Sequence, residues 1–296
     1  MLLLITGSID GTADLLVSRL SGQVFRLNYD RWHQYDFRYS PGGWSIRNPA
    51  GLTISSETAT RCLWWKAFAY STQHDRMIKE EVKYVLRDLY GWFSSRELAK
   101  GNSPYLHHSL GKINILSFAQ DFFPIPATAF SIGLKSLDDI GEQPLVTKSL
   151  SSEVSSEGKV LLTTEIPGLD VLDPSYPWFL QSRVDSDWDV TVFQCGDRVF
   201  SFRRSREGME GIDWRSTQDF TGRTEEWLPF ELESSDREKL LALSVRLGVD
   251  FGRYDFMISL DGELVFLEFN ANGQWVFLDF QDKFGVADAV VEYLDV

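Results

Sequence analysis

RYDFMISLDGELVFLEFN, running from Arg253 to Asn270, is two stretches of strand-forming residues about an Asp-Gly dipeptide. Asp261-Gly262 suits a two-residue type I′ turn, because both turn positions need positive φ, which these residues tolerate. That turn sets Leu260 opposite Glu263, Asp255 opposite Glu268 and Arg253 opposite Asn270. Side chains alternate along a strand, so Asp255, Glu268 and Asn270 share one face while Phe256, Leu267 and Phe269 take the other, the core side. Directly opposed residues have Cβ atoms about 5 Å apart, and two carboxylates at that spacing repel. Three states relieve the repulsion: one carboxyl takes a proton, solvent screens the pair, or a cation sits between them. Oxygen donors from Asp, Glu and Asn suit a hard ion such as magnesium, particularly beside phosphates.

A second hairpin precedes it. Asp189–Cys195 and Arg198–Arg204 flank Gly196-Asp197, which sets Cys195 opposite Arg198 and Asp189 opposite Arg204. Between the hairpins, Ser235 and Glu238 form a capping-box pattern for a helix that Gly248 ends. Another helix is expected from about Asp282 to the end. At the other end of the chain, Met1–Thr6 reads as a buried strand, followed by a helix to Leu20 and a strand Gln23–Leu27, an α/β opening. Its glycines do not form the GxGxxG of a dinucleotide site. Asp36–Ile54 alternates about Pro41-Gly42-Gly43 as a hairpin, and Lys79–Phe93 carries apolar residues at helical spacing to pack on it. A loop at Gly101-Asn102-Ser103-Pro104 closes this region. Beyond it Lys112–Ala119 reads as a helix and Phe122–Thr128 as an extended connection. Leu145–Ser149, Lys159–Thr164 and Trp178–Val184 read as strands, the first two joined by a Ser/Glu/Gly-rich loop.

The chain has 296 residues, 43% hydrophobic and 24% charged, with a net charge of −14 at pH 7. That length supports one large domain or two to three small ones, and that charge leaves no basic stripe for nucleic acid. A few local lysines and arginines still suffice for a nucleotide. Cys62 and Cys195 have no metal-like spacing and suit reduced thiols in the cytoplasm. No apolar run reaches the length of a membrane span. His107-His108 is a poor metal pair because adjacent side chains point apart, and Trp64, Trp65 and Trp275 suit core positions.

Gly252-Arg253-Tyr254-Asp255-Phe256, followed by Phe266-Leu267-Glu268-Phe269-Asn270-Ala271-Asn272-Gly273-Gln274-Trp275, resembles the metal-binding end of the ATP-grasp ligases. The Asn-x-Asn-Gly-Gln-Trp ending resembles the microviridin-type branch, the macrocyclases of graspetide pathways. Further pieces follow in that family's order. Gly111-Lys112 and Phe123-Pro124-Ile125-Pro126-Ala127-Thr128 resemble the segment of the first nucleotide-binding lysine, and Pro144-Leu145-Val146-Thr147-Lys148 that of the second. Phe179-Leu180-Gln181-Ser182-Arg183-Val184 resembles the hinge that holds adenine by its backbone. Asp213-Trp214-Arg215 matches a short motif of the same branch. Two positions depart from the pattern: Ser182 stands where many relatives carry an acid, and Thr191 where an arginine is usual, which leaves Arg203 or Arg204 to substitute.

The resemblance implies an α/β ATP-grasp fold in three parts: an N-terminal pre-ATP-grasp domain (1–110), a central lid subdomain (111–184) and a C-terminal metal-binding subdomain (185–296). It implies ATP bound by Lys112, Lys148, Gln181, Ser182, Arg183, Val184 and Asp189, and magnesium held by Asp255, Glu268 and Asn270. Arg215 and Arg204 are then the candidates to hold an acyl phosphate. The expected activity is closure of ester or amide crosslinks in a ribosomal precursor peptide with leader and core, in the cytoplasm, by a homodimer. The alternatives are ligation of a free amino acid to a carboxylate and a peptide-binding member without activity. Arg203, Arg204 and Arg206 form an expected cationic surface for an acidic leader.

Overall fold

Strand-forming runs and amphipathic stretches alternate along the chain, and among the described residues the fold sorts them into four sheets. The computed structural model describes residues 1–65, 76–106, 110–134, 137, 140, 144–150, 163–209, 211–212 and 227–295. Asp213-Trp214-Arg215, His107-His108, residues 159–162 of the expected strand and most of the loop before it lie outside these residues.

The N-terminal region runs β1 (Leu2–Thr6), α1 (Gly11–Arg19), β2 (Val24–Asn28), β3 (Asp36–Ser40), β4 (Gly43–Arg47), β5 (Thr53–Ser55), β6 (Arg61–Trp64), α2 (Arg76–Ser94) and β7 (Ala99–Lys100). β1 is buried at every position, as a central parallel strand covered on both faces must be. The parallel sheet has the order β2-β1-β6-β7, and β3-β4-β5 form a separate antiparallel sheet. Asp10 ends the first turn of chain by accepting the N–H groups of Thr12 and Ala13, which caps α1. α2 lays Leu86, Leu89, Tyr90 and Phe93 against Trp44 and Ile46, the packing its spacing predicts.

The middle region holds α3 (Lys112–Ala119), β8 (Thr128–Ser131), β9 (Leu145–Thr147), β10 (Thr164–Ile166) and β11 (Trp178–Ser182), with an antiparallel sheet β10-β9-β11-β8. The described strand at Thr164–Ile166 begins where the expected one ends. Phe122 and Phe123 are not extended: both donate to the Ala119 carbonyl and tighten the end of α3.

The C-terminal region holds β12 (Ser186–Cys195), β13 (Arg198–Ser205), β14 (Leu228–Pro229), α4 (Ser234–Leu247), β15 (Phe251–Ser259), β16 (Leu264–Asn270) and α5 (Val286–Asp295). Its strands form one antiparallel sheet, β14-β13-β12-β15-β16. One face carries Val190, Val192, Tyr254, Phe256 and Phe266 into a core shared with α3 and α4. The other carries Phe193, Phe202 and Phe251 against α1, α5, Trp65 and Trp275. Farther along that second face the aromatics give way to Thr191, Asp189, Asp255 and Glu268. Alternation in two strands thus divides one face into a packed half and a polar half.

Three local expectations are corrected. The turn is not a two-residue one: Ser259 accepts the Gly262 N–H and donates to the Glu263 carbonyl, so Leu260-Asp261-Gly262 is a three-residue loop, with Gly262 at φ +87°. Ser235 and Glu238 form no capping box, since α4 starts at Ser234 after Glu233, which makes no side-chain cap bond. α5 starts later than Asp282, because the Asp279 carboxylate takes the N–H groups of Lys283, Phe284 and Val286 and holds that segment in a turn.

Candidate active site

The three-residue loop shifts the register of the β15–β16 pair by one, so that Phe256 faces Phe266 and Ile258 faces Leu264. Continued unchanged, that register would set Asp255 opposite Leu267 and turn Glu268 to the core face. A bulge between Asp255 and Phe256 restores the pairing: Leu267 has no opposite number, and Asp255 faces Glu268 while Arg253 faces Asn270. The carboxylate pair therefore stands where the sequence placed it, by a route of two compensating departures.

The side chains converge. Asn270 Nδ2 donates to Asp255 Oδ2 at 2.9 Å and to Glu268 Oε1 at 3.1 Å. Thr191 Oγ1 donates to Asp255 Oδ1 at 2.9 Å, and Arg253 Nη2 to Asp255 Oδ2 at 3.1 Å. A single nitrogen within reach of both carboxylates means that both point at one locus. A hard divalent ion there meets two carboxylates, and an end-for-end turn of the Asn270 amide adds a third oxygen. The donor set fits magnesium. Among the described residues no group of three His, Cys, Asp or Glu side chains is arranged to hold a metal, so the amide is needed to complete this set.

Cations surround the pair. Lys112, at the start of α3, lies 3.8 Å from Glu268 Oε2 and donates to the Ser149 carbonyl at 2.8 Å. Lys148 follows β9 and lies over the Phe179 ring. Burial pushes the Glu268 carboxyl up, but Lys148, Lys112, the Asn270 hydrogen bond and Arg253 together bring it down to about 2. A carboxylate held below its ordinary value of 4.5 contributes stability that is fully present above that value and is lost as pH falls toward about 2. The stability difference between wild type and Glu268→Gln is therefore expected to be flat above pH 5 and to change between roughly pH 4.5 and 2. Urea unfolding across that range checks it; a difference that changes only above pH 5 would place the titration elsewhere.

Asp189, Arg204 and Arg206 lie farther along the same face. Asp189 faces Arg204 as expected, and Arg206 Nη1 donates to Asp189 Oδ1 at 2.6 Å. Burial raises the Asp189 carboxyl against the pull of Arg206 and Arg204. Arg203 points to the opposite face, its guanidinium over Trp188 and Phe230. Strand alternation separates Arg203 from Arg204, and Asp189 draws Arg206 inward, so the three arginines do not form one cationic surface.

In the expected hinge segment, Gln181 is buried and donates to Thr128 Oγ1. The Ser182 and Arg183 N–H groups are already bonded to the Ala127 and Pro144 carbonyls, and the Arg183 side chain pairs with Glu165 and Asp185. Val184 follows them in irregular chain.

Two residues were missed as site members, Arg253 and Thr191. For Arg253 the signal was present, since it stands opposite Asn270 on the carboxylate face. Arg253 Nη1 also donates to the Gln274 carbonyl at 3.0 Å. Gly273 keeps that corner narrow: a Cβ there would meet the Arg253 and Asn270 Cβ atoms at 3.1 Å. The same loop is tied to the N-terminal region, with Thr12 bonded to the Gln274 side chain and Asn102 Nδ2 donating to the Ala271 carbonyl.

No protein-family model matches the sequence, and no curated protein matches it. Solved structures do. A RiPP-associated ATP-grasp ligase from Chryseobacterium gregarium, in complex with ADP and a leader and core peptide, superposes with a TM-score of 0.81 at 20% identity, covering 99% of this chain and 96% of that one. The macrocyclase MdnC from Microcystis aeruginosa MRC, bound with the precursor peptide MdnA, gives 0.82 at 19% identity, with 99% of both chains covered. The ATP-grasp ligase PsnB, complexed with a minimal precursor, Mg and ADP, gives 0.71 at 14% identity over 99% of this chain and 97% of that one. No helix among the described residues is long and apolar enough to cross a membrane. From β1 to α5 the chain has the fold of the ATP-grasp ligases.

Proposed function

We propose that this chain is an ATP- and magnesium-dependent ligase that activates Asp or Glu side chains of a ribosomal precursor peptide and closes ester or amide crosslinks. The observation that carries the reading is the pair Asp255 and Glu268, converging on one locus and ringed by Lys112, Lys148 and Arg253. Two carboxylates against three cations leave a surplus of one positive charge, and a divalent ion would raise it to three. Only a strongly anionic ligand balances such a site, and a nucleoside triphosphate has that charge. The solved structures of the same fold contain ADP, magnesium and precursor peptides.

A free carboxylate is a poor acyl donor because oxide would have to leave. Transfer of the γ-phosphoryl group to a carboxylate oxygen gives an acyl phosphate and ADP. A Ser or Thr hydroxyl, or a Lys amine, of the same peptide then attacks the carbonyl carbon. The bond to the phosphate oxygen breaks, phosphate leaves and the nucleophile gives up its proton. The net change in the peptide is loss of one water per ring. Magnesium, when bound, draws charge from the phosphate oxygens as the phosphoryl group moves. Asp255, Glu268 and Asn270 would hold that ion, and Lys112 and Lys148 would neutralise the remaining oxygens. Gln181, Ser182, Arg183 and Val184 would frame the base, with carbonyls and Val184 serving where the Ser182 and Arg183 donors are engaged. Asp189, Arg204 and Arg215 complete the candidate set, Arg204 and Arg215 for the acyl phosphate. The division into 1–110, 111–184 and 185–296, the homodimer and a cytoplasmic setting belong to the same reading.

The test is incubation with ATP, magnesium and short Ser/Thr- and Asp/Glu-rich candidate peptides, sought first in the reading frames beside this chain's own, read by mass spectrometry and ADP release. Successive losses of water with matching ADP are expected. A gain of an amino-acid mass would instead make the chain a ligase of free amino acids, and the absence of ADP with any candidate peptide would remove the catalytic reading.

A further inference from the structure

We propose that Asn102 is a positioning residue for the ligand face of β15 and β16. Its amide, supplied by the N-terminal region, closes the strand pair where the backbone ladder stops and so fixes Arg253 and Asn270. The inference rests on the nucleotide-and-magnesium reading above and adds the part that the N-terminal region plays in it.

The last pair of the β15–β16 ladder in that direction is Arg253 opposite Asn270. Just beyond it the two arms do not continue as a regular pair. Gly252 has φ +142°, and a Cβ there would meet the Phe269 ring at 2.5 Å and the Ala271 carbonyl oxygen at 3.1 Å. The carbonyls of Phe251 and Ala271, one from each arm, turn to a common point. Asn102 Nδ2 donates to both, to Ala271 at 2.7 Å. An amide nitrogen carries two N–H donors, so one side chain serves both acceptors and stands in for the missing rung. Asn102 is 5% exposed, which keeps water from competing for those carbonyls.

Asn102 is itself held. Gly101 takes φ +67°, its N–H donates to the Tyr293 hydroxyl on α5 at 2.9 Å, and that hydroxyl donates to Asp250 Oδ1 at 3.0 Å. A Cβ at Gly101 would meet Leu63 Cδ1 on β6 at 2.9 Å. The bridge therefore ties the parallel sheet of the N-terminal region to the hairpin. Directly inside it lies the ligand face. Ala271 follows Asn270, whose amide reaches Asp255 and Glu268, and Arg253 reaches Asp255 beside it. Strand ends open first, so loss of this rung would loosen Asn270 and Arg253 before any other part of the pair. Thr12 and Asn272 tie the same loop through the Gln274 side chain and the Trp64 carbonyl, whereas Asn102 grips the backbone of both arms.

Asn102→Leu is close to asparagine in shape and removes both donors. The test measures Mn2+, standing in for magnesium, on the full-length protein at saturating ADP by paramagnetic relaxation, with a thermal melt beside it. Asn102→Leu is expected to raise the Mn2+ dissociation constant on the order of 10-fold, the scale for a residue that orients a metal ligand. Asn102→Ser keeps one donor and is expected to raise it less; it serves also if the leucine variant fails to fold. Leu89→Ala, which opens a cavity in the packed N-terminal core, is the control for stability. It is expected to lower the melting temperature and leave Mn2+ affinity unchanged. Folded Asn102 variants with wild-type Mn2+ affinity overturn the positioning role, whatever their melting temperatures. So does a Leu89→Ala protein that loses Mn2+ affinity to the same degree, since the effect is then general loosening. Wild type that binds no Mn2+ at saturating ADP overturns the nucleotide-and-magnesium reading itself, a result distinct from variants that bind as wild type does.

Discussion

Asp255→Asn and Glu268→Gln are each expected to lower ATP-dependent product formation by about 100-fold or more while leaving the protein folded. Loss even of a group that merely orients a metal ligand typically costs 10–100-fold in affinity or activity, as an order of magnitude, and these two side chains would be ligands themselves. The fold should survive because the opposing contributions are of similar size. At an effective dielectric of about 20, two carboxylates about 5 Å apart repel by roughly 3 kcal/mol, which neutralising either one relieves. Against that, Asp255→Asn weakens charge-assisted bonds from Arg253 and Asn270, worth about 1.5–3 kcal/mol each in favourable cases. Glu268→Gln loses the attraction of Lys148 and Lys112. Thermal midpoints within a few degrees of wild type, with turnover near zero at saturating ATP and magnesium, is the expected pair of results. Turnover close to wild type in either variant would remove the metal from this hairpin.

How much of this was legible in the sequence differs by element. The β12–β13 hairpin was legible residue by residue, because Gly196-Asp197 closes it tightly and no later irregularity disturbs the pairing of Asp189 with Arg204. The carboxylate pair was legible for a different reason. The turn expectation was off by one and the bulge at Leu267 was not foreseen, yet the pairing near Asp255 came out as expected. Burial enforces it: Tyr254, Phe256, Phe266 and Phe269 must all reach the core beside α3 and α4, and only a bulge satisfies both halves of the hairpin.

What was not legible depended on contacts between segments distant in sequence. The capping box failed because a local pattern competes with how α4 is docked, and the start of α5 depended on Asp279 taking three N–H groups. Arg203, Arg204 and Arg206 looked like one cluster because they are neighbours in sequence. Alternation sends Arg203 to the other face, and only the inward position of Asp189 reveals where Arg206 goes. Thr191 looked like a missing arginine. In the fold its hydroxyl serves Asp255, while a guanidinium reaches the same carboxylate from the next strand, at Arg253.

Arg253→Met is expected to cut the rate of the chemical step by about 100-fold, the usual cost of losing one preorganised donor to a developing oxyanion. Arg253 is the cation nearest the ligand face that is fixed at both ends of its fork, to Asp255 by Nη2 and to the Gln274 carbonyl by Nη1. Its Nε is buried with no hydrogen-bond partner among the described residues. Methionine keeps the contact with the Phe277 ring over which the guanidinium lies, so packing changes little. A guanidinium so held is fixed in place. Its geometry suits a fixed target, the carbonyl oxygen of the acyl phosphate, whose charge grows as the nucleophile adds, which leaves the phosphate oxygens to Arg204 and Arg215. The loss should therefore fall mainly on kcat, with the ADP dissociation constant and the KM for ATP rising far less than kcat falls. Arg253→Lys should recover only part of the rate, because an ammonium restores the charge but not the planar fork. Single-turnover rates for the three proteins, with ADP titrations beside them, separate the cases. If the KM for ATP rises while kcat holds, Arg253 serves the nucleotide phosphates, and the acyl oxygen must be met by Arg204 or Arg215.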